Sequence, residues 1–168
     1  MAAKSTIMSA LLSQTPNAAK IDAEDVGQVN PFSFDQAFLT LLWSNVTAAI
    51  NNFWAAGYTT VITGSFLDGD THESLQAFRE RLGGDPTIYV VHLRASTSVR
   101  DLRRIRRPKP TSKEWRDAVD ARHPDRGASL RDAAGDYRYI AVDSTEQQVE
   151  ETIADIRSAI PEVYGVRS

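Results

Sequence analysis

Three short groups of residues in this chain are of types that handle phosphates and hydroxyls. The first is Lys4-Ser5-Thr6, which runs directly into an apolar helical pattern, Ile7, Met8, Leu11 and Leu12. A lysine and a hydroxyl residue at the start of a helix match the end of the pattern G-x-x-x-x-G-K-[ST]. In that pattern glycine N–H groups surround phosphates, the lysine reaches the β/γ-phosphates and the hydroxyl holds Mg²⁺. The positive end of the helix dipole adds to the attraction. Here Ala3 stands where the second glycine of the pattern would be, and the preceding strand and first glycine are absent from these residues. Taken alone, the three residues read equally as an ordinary helix start.

The second group is acidic. Asp22 and Glu24 alternate just after the strand candidate 18–21, at a strand's carboxyl end, where open α/β sheets place their ligands. One carboxylate there can orient or deprotonate a hydroxyl while another supports Mg²⁺ through water. The competing reading is that Asp22-Ala23-Glu24-Asp25 caps a helix or faces solvent, and Asp25 is assigned to solvent. The third group is a helix expected over 98–107 that carries Arg100, Arg103, Arg104, Arg106 and Arg107. Arg104 and Arg107 are three apart and share a face, which Arg100 extends, whereas Arg103 projects toward Asp101 or solvent. Guanidinium groups suit the negative charge that spreads over transferring phosphoryl oxygens. A solvated helix face is the plainer alternative.

The elements that must position these groups alternate between strand and helix. A short helix over 5–13 is broken at Pro16-Asn17. Apolar residues from Phe34 to Trp54 recur at helical steps and predict one long helix over 34–56, with Gly57 as its C-cap. Trp43 and Trp54 on it read as core aromatics rather than a stacking platform. Residues 58–65 are β-branched and predict a buried strand, 73–82 a short helix, and 87–93 the clearest strand in the chain. Thr111 and Glu114 form a capping box for a helix over 112–122. Residues 123–136 are expected to be a mobile connection and 137–142 a last strand. Asp143-Ser144-Thr145 with Gln147 and Gln148 then cap a final helix whose buried stripe is Val149, Ile153, Ile156 and Ile160. The expected fold is a single α/β domain over 1–168. It has a mostly parallel sheet of about four strands, centred on Ile21, Ile62, Val90 and Ile140, with helices on both faces.

Composition narrows the partners. The chain has 168 residues, a net charge of −3, 42% apolar residues and no cysteine. These values suit a globular domain without disulfides, thiol chemistry or a cysteine-based zinc site. The three histidines, His72, His92 and His123, are too far apart in sequence to suggest a metal-ligand spacing. Nucleic acid is not expected as a partner of an acidic chain, and no apolar run approaches membrane-spanning length. A cytoplasmic protein is the expectation.

In this order the pieces resemble the P-loop small-molecule kinases of the nucleoside-monophosphate-kinase type, with shikimate, gluconate and adenylylsulfate kinases and antibiotic phosphotransferases as neighbours. The matching motifs are Lys4-Ser5-Thr6, the hydrophobic-D-x-[DE] corner at Ile21 to Glu24, the arginine helix after Val90-Val91-His92-Leu93, and Val142-Asp143-Ser144-Thr145. The resemblance implies an ATP- and Mg²⁺-dependent kinase acting on a small hydroxylated molecule or a nucleotide. It assigns Lys4, Ser5 and Thr6 to the phosphates, with Ser5 on the metal, and Asp22 with Glu24 to the acceptor. Arg104 and Arg107 clamp the phosphates from a lid over 104–127, and Asp143, Ser144 and Thr145 lie beside the adenine. Two alternatives remain: a degenerate, non-catalytic kinase-fold binding module, and a polyanion-binding domain built on the arginine helix.

One feature departs from the family. There, the strand before the phosphate loop lies between the strands that correspond to those near Val61 and Val90. Without it those strands present interior edges, and three explanations compete: an amino-terminal truncation of a longer protein, another segment or chain filling the gap (a homodimer partner in trans among them), or an altered strand order.

Overall fold

Helix α1 (Lys4–Gln14) buries Ile7, Met8 and Leu11, whose three- and four-residue spacing places them on one face. The computed structural model describes residues 4–27, 29–30, 35–64, 71–106, 127–133 and 135–165, without the side chains of Glu24 and Arg104. Strand β1 (Ala18–Ile21) and the one-turn helix α2 (Ala23–Val26) follow α1. Helix α3 (Gln36–Ala55) starts where the Asp35 carboxylate accepts the Phe38 N–H at 2.8 Å. Its buried stripe is Leu39, Leu42, Trp43, Val46 and Ile50. Leu41, counted in the apolar pattern, is 51% exposed because it lies off that stripe. Gly57 adopts φ +93°, the left-handed conformation a residue just beyond a helix end requires, and its N–H reaches the Trp54 carbonyl at 2.9 Å.

The remaining elements are β2 (Thr60–Thr63), α4 (His72–Arg79), β3 (Tyr89–Arg94), α5 (Thr97–Ile105), α6 (Ala128–Asp132), β4 (Arg138–Asp143), α7 (Val149–Ala159) and α8 (Pro161–Tyr164). All pairing between described strands is parallel. Ala18 to Ile21 pair in register with Thr60 to Thr63, and Tyr89 to Arg94 with Arg138 to Asp143. The expected strand centres Ile21, Ile62, Val90 and Ile140 therefore all lie in strands. They form two separate two-stranded sheets rather than one sheet, because no described strand lies between β2 and β3.

Two hydrophobic clusters hold these elements. The first joins Ile21, Leu42, Val46, Ile50, Leu75 and Phe78, with Val61, Ile88 and Val90 packed against it. The second joins Ile7, Leu11, Ile140, Val142, Ile153 and Ile156, with Ile62, Tyr89, Val91 and Leu93 against it. Successive residues of β2 and of β3 thus enter different clusters, as the two-residue period of a strand buried on both faces demands.

Two expectations about the second half are corrected. The stretch 123–136 is not simply a connection: Ala128–Asp132 is helical and Leu130 is 3% exposed, within the first cluster. A single large apolar side chain was enough to anchor a segment whose composition is otherwise polar. Of the residues expected to cap the last helix, Gln148 does so, its N–H donating to the Glu151 carboxylate at 2.7 Å in a capping box, while Asp143, Ser144 and Thr145 do not. The helix expected over 112–122 lies outside the described residues. No described helix is long and apolar enough to cross a membrane.

Anchoring through Leu130 has a measurable consequence. Leu130→Ala should lower unfolding free energy by about 2–5 kcal/mol, whereas truncating a half-exposed leucine such as Leu102 should change it by less than about 0.5 kcal/mol. Guanidinium denaturation followed by circular dichroism separates the two outcomes. Equal, small effects would return 128–132 to a loosely attached connection.

Candidate functional site

The register of the first sheet brings three chain segments to one point. Ile21 pairs with Thr63 at the carboxyl ends of β1 and β2, and the Gly64 N–H donates to the Ile21 carbonyl at 3.3 Å. Packing of Ile7 and Leu11 in the second cluster fixes α1 so that its first turn meets these ends. There the Ser5 hydroxyl donates to Asp22 Oδ2 at 3.2 Å. Lys4 lies over Gly64: a Cβ added at Gly64 would stand 2.8 Å from Lys4 Nζ. Gly64 thus gives the lysine amine room at the strand end. Thr6, the third residue of the motif, is exposed on the same turn. Glu24 belongs to α2, and its side chain lies outside the described residues, as does Ala3.

Lys4, Ser5 and Asp22 offer a cation, a hydroxyl and a carboxylate at one site. The oxygen pair of Ser5 and Asp22 suits a hard cation that takes one or two protein oxygens and completes its shell with phosphate and water. The described residues hold no group of three or more His, Asp or Glu side chains able to hold a metal ion by themselves. Fit to Mg²⁺ is therefore fit to a metal that arrives with phosphate.

Asp143, Ser144 and Thr145 lie at the carboxyl end of β4, in the other sheet. Their polar groups are largely taken up locally. The Ser144 N–H and Oγ both donate to the Arg94 carbonyl, at 2.8 and 2.9 Å. The Thr145 N–H donates to Asp143 Oδ1 at 2.9 Å, and Thr145 Oγ1 accepts the Ser96 N–H at 3.0 Å. The side-chain and backbone hydrogen bonds from Thr145, with a smaller contribution from the Arg94 charge, hold the Asp143 carboxyl below its usual pKa.

Within the arginine helix Arg103 is tied to the segment after β4. Its guanidinium donates to Ser144 Oγ at 3.1 Å and to the Ser144 carbonyl at 2.5 Å, and partial burial pulls its pKa downward. Arg103 does not point to solvent, contrary to the helix-face reading. It faces inward because α5 follows β3 and lies beside the start of the segment after β4, through Ser96 and Thr145. The side chain of Arg104, all of Arg107, and the segment 107–126 of the expected lid lie outside the described residues. Sequence reasoning passed over Gly64 and Arg103. Gly64 carried a signal, being a glycine that directly ends a β-branched run, but Arg103 carried none that set it apart from four other arginines.

With this geometry, the fold is a mixed α/β arrangement of parallel strand pairs and helices, and a known structure shares it. The crystal structure of an unliganded sugar kinase from Janibacter sp. HTCC2649 matches with a TM-score of 0.70, covering 98% of this chain and 91% of that one at 17% identity. At such identity the likeness is one of fold, and it does not single out the P-loop family to which the motifs point. No family model matches the chain, and no curated protein matches it significantly.

Two outcomes follow from the bonds at Ser144 and at Asp143. Arg103→Ala should cost about 1–3 kcal/mol by leaving the buried Ser144 acceptors unpaired, and Arg103→Lys should recover little of it, since one ammonium cannot replace a two-nitrogen fork. Thermal unfolding of both variants tests this, and full recovery by lysine would mean that only charge matters there. For Asp143 the folded pKa is depressed, so its stabilisation is present above the unfolded value of about 3.9 and is lost as pH falls through the folded value. Amide exchange at Thr145, compared with the intrinsic rate at each pH, should therefore lose protection on acidification below that range. Asp143→Asn should remove this dependence.

Proposed function

We propose that this protein is an ATP-dependent phosphotransferase acting on a small hydroxylated molecule or a nucleotide. The reading rests chiefly on the meeting of Lys4, Ser5 and Asp22 where α1 begins and β1 ends, with Ser5 bonded to Asp22 at 3.2 Å. A fold likeness to a protein described as a sugar kinase supports a hydroxylated acceptor. In this reading residues 1–168 form one P-loop kinase-like domain of three layers, and 104–127 serve as its lid.

Lys4 meets the β/γ-phosphate charge, and Ser5 supplies the protein oxygen for Mg²⁺. When bound, Mg²⁺ neutralises charge on the phosphate oxygens. Asp22 accepts the proton of the acceptor hydroxyl as its oxygen bonds the γ-phosphorus and the bond from that phosphorus to the bridging oxygen breaks, leaving ADP. Glu24 assists in holding the acceptor, and Thr6 adds a hydroxyl on the phosphate side. Arg104 and Arg107 bring guanidinium charge from the lid. Asp143, Ser144 and Thr145 flank the base. Because the Ser144 and Thr145 N–H groups are already engaged and Ser144 is buried, it is Asp143 and Thr145 that offer surface contact, without hydrogen bonds donated from these N–H groups.

The second reading is a kinase-fold binding module without turnover, favoured by the separation of the two sheets. Titration calorimetry with Mg-ATP and a phosphoryl-transfer assay against a panel of sugars and nucleosides decide between them. On the enzyme reading, Lys4→Ala weakens Mg-ATP binding at least about tenfold. Asp22→Asn lowers turnover by about 10²–10⁴ while leaving ATP affinity near the parent value. Arg107→Ala reduces turnover more than binding. Mg-ATP binding without transfer to any acceptor, or no Mg-ATP binding at all, counts against the enzyme reading and favours the module.

A further inference from the structure

The turn that carries Asp22 away from β1 is fastened at both ends. Before it, Ile21 is held in the β1–β2 ladder, where its carbonyl accepts the Gly64 N–H at 3.3 Å. After it, the Asp22 carbonyl accepts the Asp25 N–H at 3.0 Å and opens the single turn of α2. That turn ends on α3. The Val26 carbonyl accepts the Asn45 side-chain amide at 3.2 Å, and Gly27 lies against Leu42, three residues before Asn45 on the same helix face. Ala23 is buried with Leu42 in the first cluster, and Val26 packs against it.

Gly27 is where this seat has no slack. A Cβ there would collide with Leu42 Cδ1 while meeting the Ala23 carbonyl at 3.5 Å. Leu42 does not swing clear cheaply, because it is buried and enclosed by the first cluster. The backbone of Gly27 thus sits closer to α3 than a residue with a side chain could, and the arch 22–27 is drawn down onto that helix. The direction in which a side chain leaves its Cα follows from the peptide groups on either side. At Asp22 the preceding one is set by the strand ladder and the following one by the arch seated on Leu42 and Asn45. Along that direction the carboxylate meets the Ser5 hydroxyl at 3.2 Å.

We propose that Gly27 is a positioning residue: by seating the arch 22–27 on Leu42 and Asn45, it aims the Asp22 carboxylate at the point where Lys4 and Ser5 converge. The inference deepens the phosphotransferase reading and rests on it for the use of Asp22 as proton acceptor. The aim itself is a property of the chain that needs no turnover to be measured. Helix α3 then takes part in the site at second hand, through Leu42 and Asn45. A purely structural glycine would behave differently, since its loss would lower stability and leave the direction of Asp22 unchanged in the folded molecules.

Gly27→Ala tests this in the full chain, with Leu42→Val as the compensating change because valine has no δ carbon. Carbon-detected NMR reads the Asp22 Cγ resonance, and the Ser5 amide is a second reporter on another element. In Gly27→Ala both should leave their parent positions, and in Gly27→Ala/Leu42→Val both should return. Turnover should follow: Gly27→Ala lowers kcat about 10- to 10²-fold with KM for Mg-ATP within about twofold of the parent, and the double variant restores kcat to within about threefold. If Gly27→Ala does not fold, Asn45→Ala, at an exposed position, carries the comparison and should move the same two resonances. Unmoved resonances in a folded variant, a kcat at the parent value, or displacement that Leu42→Val does not reverse overturn the proposal. A parent chain that transfers no phosphate overturns the phosphotransferase reading instead, and the resonances then decide the positioning on their own.

Discussion

A buried backbone N–H or C=O must find a partner, and an unpaired group costs free energy comparable to a lost hydrogen bond. The arrangement of this chain depends on how that requirement is met at β2 and β3. Each satisfies it along one edge, through β1 and β4, and no described strand pairs with its other edge. The helices do not compensate, since α1, α3 and α7 cover the strands through side chains and offer no backbone ladder. What keeps the two sheets together is the sharing of both hydrophobic clusters: residues of both sheets enter each one.

The candidate chemistry sits where this layer ends. Strand ends are where side chains leave the packed interior while still being held by rigid elements, and Asp22 follows directly on the buried Ile21. Ser5 reaches it because α1 is pinned by Ile7, Met8 and Leu11, so that the orientation of the first turn is set by hydrophobic packing one turn further on. Gly64 completes the arrangement by what it lacks, a Cβ that would collide with the lysine amine. Lys4, Ser5 and Asp22 are thus positioned by apolar contacts that take no part in their chemistry.

The other strand pair ends differently. Ser144 is 2% exposed, and its acceptors are occupied by Arg103 while its donors go to Arg94. This knot ties α5 to the carboxyl end of β4, so any movement of the arginine helix pulls on the loop after that strand. An arginine that fastens two elements in this way is less available for binding a ligand.

Much of the element order was legible in local pattern. The β-branched runs around Ile62 and Val90, the helical spacing from Phe38 to Trp54 and the glycine at position 57 each specify a conformation through interactions within a few residues. The amphipathic stripe of Val149, Ile153 and Ile156 likewise marked its helix, and of the residues expected at its start Gln148 forms the cap, through its box with Glu151. The motif residues Lys4, Ser5 and Asp22 were visible as types. Their meeting was not, since the Ser5–Asp22 bond spans residues that only the β1–β2 register and the packing of α1 bring together. Leu130 in the core, Arg103 on Ser144 and the division of the strands into two pairs were decided by tertiary structure alone. Each depends on contacts between residues far apart in sequence, and one leucine among polar residues, or one arginine among five, carries no local sign of what it will touch.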